Sequence, residues 1–173
     1  ILCRVFRGAG PAPVYQTILK EFILRIIVVM PTYNEAENLP KLAGALFALP
    51  LDVSLLVVDD NSPDGTGQVA DRLAQEHPGR VRVLHRAGKL GFSSAYLEGF
   101  RMALDSDADA IAQMDADFSH DPKILIDMEK RLKECDMVLG SRYTPGGRVD
   151  DRWSIWRKGL SAWGNFYART ILG

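Results

Sequence analysis

A chain of 173 residues, 47% apolar and 25% charged, has the size and balance of one globular domain with a hydrophobic core. A net charge of −1 gives no electrostatic footprint for nucleic acid, and no apolar run approaches the roughly 18–20 residues of a membrane-spanning helix. Two cysteines, Cys3 and Cys135, form neither a disulfide framework nor a metal-ligand spacing, which makes a reducing cytosol the default setting.

Residues 1–22, with the run Gly8-Ala9-Gly10-Pro11-Ala12-Pro13, read as a flexible leader that lacks a secretory apolar core, and residues 23–173 as the folded domain. Leu24 to Met30 is nearly continuously apolar and β-branched, the mark of a strand buried on both faces, with Pro31 expected to end it. After the polar turn Thr32-Tyr33-Asn34-Glu35, a helix is expected with Leu39, Leu42, Leu46 and Phe47 on one face and Pro40 in its first turn. Val53 to Val58 is a second buried strand, followed by a loop dense in turn formers, Asp59-Asp60-Asn61-Ser62-Pro63-Asp64-Gly65-Thr66. Thr66 is the expected N-cap of the next helix, which runs through Val69 and Leu73.

Arg80 to Leu84 is a third strand, and the helix after Lys89-Leu90-Gly91 carries Tyr96, Phe100 and Leu104. Ala110 to Met114 is the fourth strand. Asp121-Pro122 open a helix that turns Ile124, Leu125, Met128 and Leu132 inward, and Met137-Val138-Leu139 is a fifth, short strand. Strands alternating with helices at this spacing predict an α/β fold with a mainly parallel sheet covered on both faces. Each polar motif then follows a strand end, where ligands of open α/β sheets bind. Gly173 falls inside a helical pattern, so the chain is expected to be the N-terminal portion of something longer.

Asp115 and Asp117, two residues apart as a strand ends, project to one side. Mutual repulsion of two carboxylates is relieved by solvent, which makes them a polar turn, or by a hard divalent cation such as Mg²⁺ or Mn²⁺ that takes substrate phosphate into its shell. Of Asp59 and Asp60, one can accept hydrogen bonds from a nucleobase edge; the rival role is capping of their loop. Lys89 and Arg142 are cations suited to a diphosphate on the same rim, if they are not simply solvated. His77, His85 and His120 have no partner at metal-ligand spacing and read as loop or surface residues. The Asp105-Asp107-Asp109 run lacks the glycine and glutamate of a calcium loop, and neither a dinucleotide fingerprint nor a Walker A sequence is present.

The last stretch places Trp153, Trp156, Leu160, Trp163 and Tyr167 on one helical stripe and Arg157, Ser161 and Asn165 on another. Such a stripe serves either a packed core or a membrane interface, where Trp and Tyr sit at headgroup level and the Arg157 and Ser161 face can hold an anionic headgroup.

Val29-Met30-Pro31-Thr32-Tyr33-Asn34-Glu35, Val58 to Thr66, Met114-Asp115-Ala116-Asp117-Phe118-Ser119-His120 and Gly140-Ser141-Arg142-Tyr143 occur in order and, from Arg25 to about Arg169, resemble the inverting GT-A glycosyltransferases, specifically the dolichol- or polyprenol-phosphate mannose synthase group. The resemblance implies a three-layer, Rossmann-like nucleotide-diphospho-sugar transferase fold, incomplete at its C-terminus, in which residues 23–173 are the N-terminal part of the catalytic domain. It implies metal-dependent transfer of mannose from GDP-mannose to a polyprenyl phosphate. The alternatives are a UDP-sugar transferase of the same fold, making polyprenyl-phosphate glucose or polysaccharide, and a non-catalytic nucleotide-sugar-binding module.

Carried over by position, the resemblance puts Pro31, Tyr33, Glu35, Asp60, Lys89, Asp115, Ala116 and Asp117 on the donor. It puts Asp115, Asp117 and Ser119 on Mg²⁺ or Mn²⁺, and Arg157 and Ser161 on the acceptor phosphate, with Asp117, Arg142 and Arg157 as the catalytic set. A peripheral location at the cytoplasmic membrane face is implied, with anchoring by a partner or a further C-terminal segment. In Lys89-Leu90-Gly91-Phe92-Ser93 the second glycine of the family's usual loop is lost.

Overall fold

A computed structural model describes residues 2–4, 23–141 and 154–172. Four strands, β2 (Arg25–Thr32), β3 (Asp52–Asp59), β4 (Val81–His85) and β5 (Ala110–Gln113), form one parallel sheet in the order β4-β3-β2-β5. Helices α1 (Leu39–Phe47), α2 (Thr66–Glu76), α3 (Phe92–Leu104) and α4 (Ile124–Leu132) follow these strands in turn. The chain steps outward from β2 to β4, then crosses back to lay β5 on the other side of β2. The strand order therefore reverses between β2 and β5, the point where ligand crevices open in such sheets.

Strand alternation assigns the two faces. Ile26, Val28 and Met30 meet Leu39, Leu42 and Leu46 of α1, Ala70 and Leu73 of α2 and Leu125 of α4 in one core layer. Ile27 and Val29 face the other way, with Leu56 and Val58, onto Ala95, Tyr96 and Ala103 of α3. The three expected layers are present. Helix α3 lies so close to the sheet that a Cβ on Gly99 would overlap Val29 Cγ1 and come within 3.0 Å of Val58 Cγ2.

Several local expectations are corrected. Pro31 does not end its strand but pairs with Val58 inside it. Its backbone points, like that of Val29, toward β5, which has already stopped at Gln113, so the missing N–H is not needed there. Thr66 is the first residue of α2 rather than its N-cap; Gly65, at φ +90°, takes that position. Helix α4 begins at Ile124, after a turn closed by the Asp121 carbonyl. Leu104 is 73% exposed, because the inward ridge of α3 runs through Ala95, Tyr96, Gly99 and Ala103.

The fifth expected strand forms as β6 (Met137–Leu139), yet it stays out of the parallel sheet and pairs antiparallel with β1 (Leu2–Arg4), from the segment expected to be a leader. The rest of that segment lies outside the described residues. Cys135, buried behind α4, is disulfide-bonded, against the expectation of reduced thiols.

Candidate functional site

Backbone strain gathers at one edge. Among the described residues, the non-glycine positions in the left-handed region are Asn34 (φ 62°), Asn61 (φ 56°) and Phe118 (φ 59°), in the loops after β2, β3 and β5. Asparagine tolerates this conformation; phenylalanine pays for it, and such costs cluster at functional sites.

The paired aspartates after β3 divide the two roles that the sequence leaves open. Asp59 is a structural cap: its Oδ1 accepts hydrogen bonds from Ser62 Oγ (2.6 Å) and Thr32 Oγ1 (3.1 Å), and its Oδ2 accepts the Ser62 N–H (3.2 Å). Asp60 turns instead to Arg86, whose side chain is 1% exposed. The Arg86 guanidinium donates to Asp60 Oδ1 and to Ser94 Oγ (2.6 Å), and lies 3.2 Å from Glu98. A guanidinium this buried needs such partners, since an unpaired buried charge is costly. Asp60 Oδ2 keeps no protein partner among the described residues. In the sequence nothing marks Arg86, one more basic residue in a loop.

Beside Asp60, the loop after β2 is tied to the loop after β3. The Glu35 N–H donates to Thr66 Oγ1 (2.9 Å), the Asn34 N–H to Ser62 Oγ (3.1 Å) and the Ala36 N–H to Asp64 Oδ2 (3.1 Å). Burial works against charge on Asp64, but donors from Thr66 and Ala36 outweigh it and hold the carboxyl below its usual range. Glu35 itself accepts from Asn38 Nδ2 (2.8 Å). Tyr33 is exposed, and Lys89 Nζ lies 3.8 Å above its ring centroid, which brings the loop after β4 over the same spot. Pro31 is half-buried at the floor.

The acidic loop after β5 is held by three donors. Asp115 Oδ1 accepts the Tyr96 hydroxyl (2.8 Å) from α3. The Asp115 N–H donates to His120 Nδ1 (3.3 Å), which requires the imidazole proton on Nε2. His120, read from sequence as an ordinary loop residue, thus closes the loop. Asp117 Oδ1 accepts the Ser119 N–H (2.9 Å). Burial opposes ionisation of Asp117, but Ser119 outweighs it and holds the carboxyl below the ordinary range. Burial, and then Asp115, push the Tyr96 phenol well above the normal tyrosine range, so it stays a donor. Ala116 packs into the core at 4% exposure, which leaves only its main chain for a ligand.

Among the described residues no group of three or more His, Cys, Asp or Glu is arranged to hold a metal ion. Two carboxylates, each with one oxygen held by the protein, are still an oxygen-only donor set that fits Mg²⁺ or Mn²⁺ when substrate phosphate completes the shell.

Arg142 lies outside the described residues, as does the side chain of Arg157. Ser161 is half-buried in the last helix, α5 (Ile155–Leu172). Of the expected aromatic stripe, Trp156 is 90% exposed and Trp163 61%, with Leu160 and Tyr167 exposed beside Ile155, Phe166 and Ile171. No described helix is long and apolar enough to cross a membrane.

The chain that carries this edge is similar to proteins already known. Polyprenol monophosphomannose synthase of Mycolicibacterium smegmatis is 44% identical over 170 residues, covering 96% of this chain and 62% of that protein. Undecaprenyl-phosphate mannosyltransferase of Micrococcus luteus is 44% identical over 150 residues, covering 87% of this chain and 61% of that one. The chain thus spans about three fifths of the length of these relatives.

A mannosyltransferase from Pyrobaculum calidifontis, solved in complex with GDP-Man and Mn²⁺, shares the fold at a TM-score of 0.53 and 22% identity, covering 63% of this chain and 32% of that one. The GT-A architecture expected from sequence is the one found. The profile of glycosyl transferase family 2 matches residues 27–172, most of the chain from the first core strand to the end of α5, and the chain belongs to that family.

Proposed function

We propose that the chain is the donor-binding part of a transferase that moves mannose from GDP-mannose onto a polyprenyl phosphate with inversion. The observation that carries this reading is the placement of the Asp60–Arg86 pair and the Asp115/Asp117 loop on either side of the strand-order reversal. A nucleoside diphosphate has ends that match: a base edge for the spare Asp60 oxygen, a base face for the Tyr33 ring, and a diphosphate for Lys89 and a cation. Pro31, Glu35 and the main chain of Ala116 line this pocket.

Asp115 and Asp117, with Ser119 orienting Asp117, hold Mg²⁺ or Mn²⁺, which when bound offsets charge building on the departing nucleoside diphosphate. The acceptor is a phosphate monoester, whose second pKa of about 6 leaves it ionised near neutral pH, so we assign no general base. Arg142 and Arg157 balance the donor and acceptor phosphates, and Ser161, one helical turn from Arg157, lies near the acceptor phosphate. Such contacts align the acceptor for in-line attack.

Helix α5 serves the lipid side. It contains Arg157, Lys158 and Arg169 and neither Asp nor Glu, while its exposed Trp156, Leu160, Trp163 and Tyr167 form the apolar face. That composition suits an interface helix on an anionic membrane surface, as in a protein peripheral to the membrane.

Transfer of labelled sugar to a short polyprenyl phosphate, with and without EDTA, tests the reading. Transfer from GDP-mannose that is lost with EDTA is expected. A preference for UDP-glucose, in transfer or in ligand-induced thermal shift, overturns the choice of donor. Asp117→Ala should reduce turnover by a factor of hundreds or more, as expected for a preorganised contact contributing about 3–4 kcal/mol to the barrier; near-native rates with Mn²⁺ refute the assignment.

A further inference from the structure

The Tyr96 ring is fixed on three sides before its hydroxyl meets any ligand. It is 5% exposed in the core layer between α3 and the sheet. Phe92 packs edge-on against it at 4.9 Å, and the Phe100 ring lies tilted to it at 5.6 Å. Such a ring has one place to put its hydroxyl, and the hydroxyl lies 2.8 Å from Asp115 Oδ1. Asp115 is only half-buried, so water alone could have satisfied this oxygen. Core volume has been spent on a polar tip that a phenylalanine would not need.

We propose that Tyr96 is a positioning residue for the cation site, fixing Asp115 so that it offers a divalent ion one oxygen and not two. This role rests on the reading of Asp115 as a metal ligand and sharpens it. The phenol proton on Oδ1 leaves Oδ2 the freer donor of Asp115, and the Ser119 N–H on Asp117 Oδ1 biases Asp117 in the same way. One-oxygen contacts suit the compact octahedral shells of Mg²⁺ and Mn²⁺. Ca²⁺ prefers a larger shell and readily takes carboxylates through both oxygens. The phenol therefore selects the size of ion as well as aiming the carboxylate.

Calorimetric titration of Mn²⁺ and of Ca²⁺ in the presence of GDP, on the unmutated chain and on Tyr96→Phe, tests this. Loss of an outer partner of a metal ligand commonly weakens binding about 10–100-fold. Tyr96→Phe should lose about that much Mn²⁺ affinity and much less Ca²⁺ affinity, so the Mn²⁺-to-Ca²⁺ ratio falls. Unchanged Mn²⁺ binding overturns the role, and so does an equal loss for both ions. Should Tyr96→Phe not fold, the unmutated chain still decides: the Tyr96 ¹³Cζ resonance should move along the Mg²⁺ binding curve measured with GDP, and a resonance unmoved at saturation overturns the proposal. If the unmutated chain binds GDP but neither ion, the cation reading itself fails, and Tyr96 loses this role with it.

Discussion

Gly99 is the residue on which the approach of α3 to the sheet depends. In an exposed helix interior, replacing glycine by alanine gains up to about 1 kcal/mol of propensity. At Gly99 the added methyl would overlap Val29 Cγ1 and crowd Val58 Cγ2 at 3.0 Å, on strands whose side chains there are fully buried. Neither valine has a flexible far end to move aside, so the helix must retreat or the strands must bend. Overpacking of this kind costs about 1–3 kcal/mol. Less the propensity gain, and with each kcal/mol worth about 2–4 °C for a domain of this size, Gly99→Ala should lower the melting midpoint by up to about 12 °C.

Gly44 provides the control, because it lies in α1 with nothing within 4 Å of where its Cβ would be. Gly44→Ala should raise the midpoint by a few degrees, the same substitution with the opposite sign. Differential scanning calorimetry on both variants reads this directly. A Gly99→Ala protein as stable as Gly44→Ala would falsify the claim that α3 is pressed against the sheet at this residue. Tyr96 precedes Gly99 by almost one helical turn, so a retreating helix should also weaken Mn²⁺ binding.

Arg86→Met should cost about 3–5 kcal/mol in urea unfolding, because Asp60 and Glu98 lose their buried counter-charge. Adding Asp60→Asn should recover part of that loss, and strict additivity refutes the coupling. At the opposite end of the sheet, hydrogen bonds from Arg25 hold the Asp109 carboxyl below its ordinary value. A depressed folded-state value stabilises the protein above the unfolded pKa of about 3.9, and the gain is lost as pH falls through the folded value. Asp109→Asn should therefore be less stable than the parent at pH 7, by no more than about 1 kcal/mol given the 38% exposure of the side chain, and the gap should close in acid. A gap that persists at pH 2–3 refutes the ionic origin. Phe118→Asn should leave stability unchanged or raise it by up to about 1 kcal/mol, since asparagine accepts φ 59° more readily and the ring is 44% exposed; a clear loss would assign the ring a packing role.

The strands were legible because a strand covered on both faces needs an unbroken apolar run, and Ile26 to Met30 and Leu55 to Val58 supply one. The acidic loop was legible from two carboxylates at the end of such a run. Pairing across the sheet was not, because it depends on partners distant in the chain: nothing in Met137–Leu139 says that it will meet Leu2–Arg4 instead of β5. Arg86 was hidden for the same reason. Its counter-charge on Asp60 is 26 residues away, and burial of a lone basic side chain leaves no periodic trace. Asp59 and Asp60 were equivalent as letters; only the end of β3, which turns Asp59 toward Thr32 and Ser62, separated cap from candidate reader.

The two halves of the crevice hang from supports of unequal stiffness. Tyr33 and Glu35 follow an eight-residue strand flanked by neighbours on both sides and sealed above and below. Asp115 and Asp117 follow a four-residue strand at the margin, with one neighbour and half-open flanks. The loop of Tyr33 and Glu35 therefore inherits its shape from the sheet, while the loop of Asp115 and Asp117 depends for its shape on the hydrogen bonds of Tyr96, His120 and Ser119.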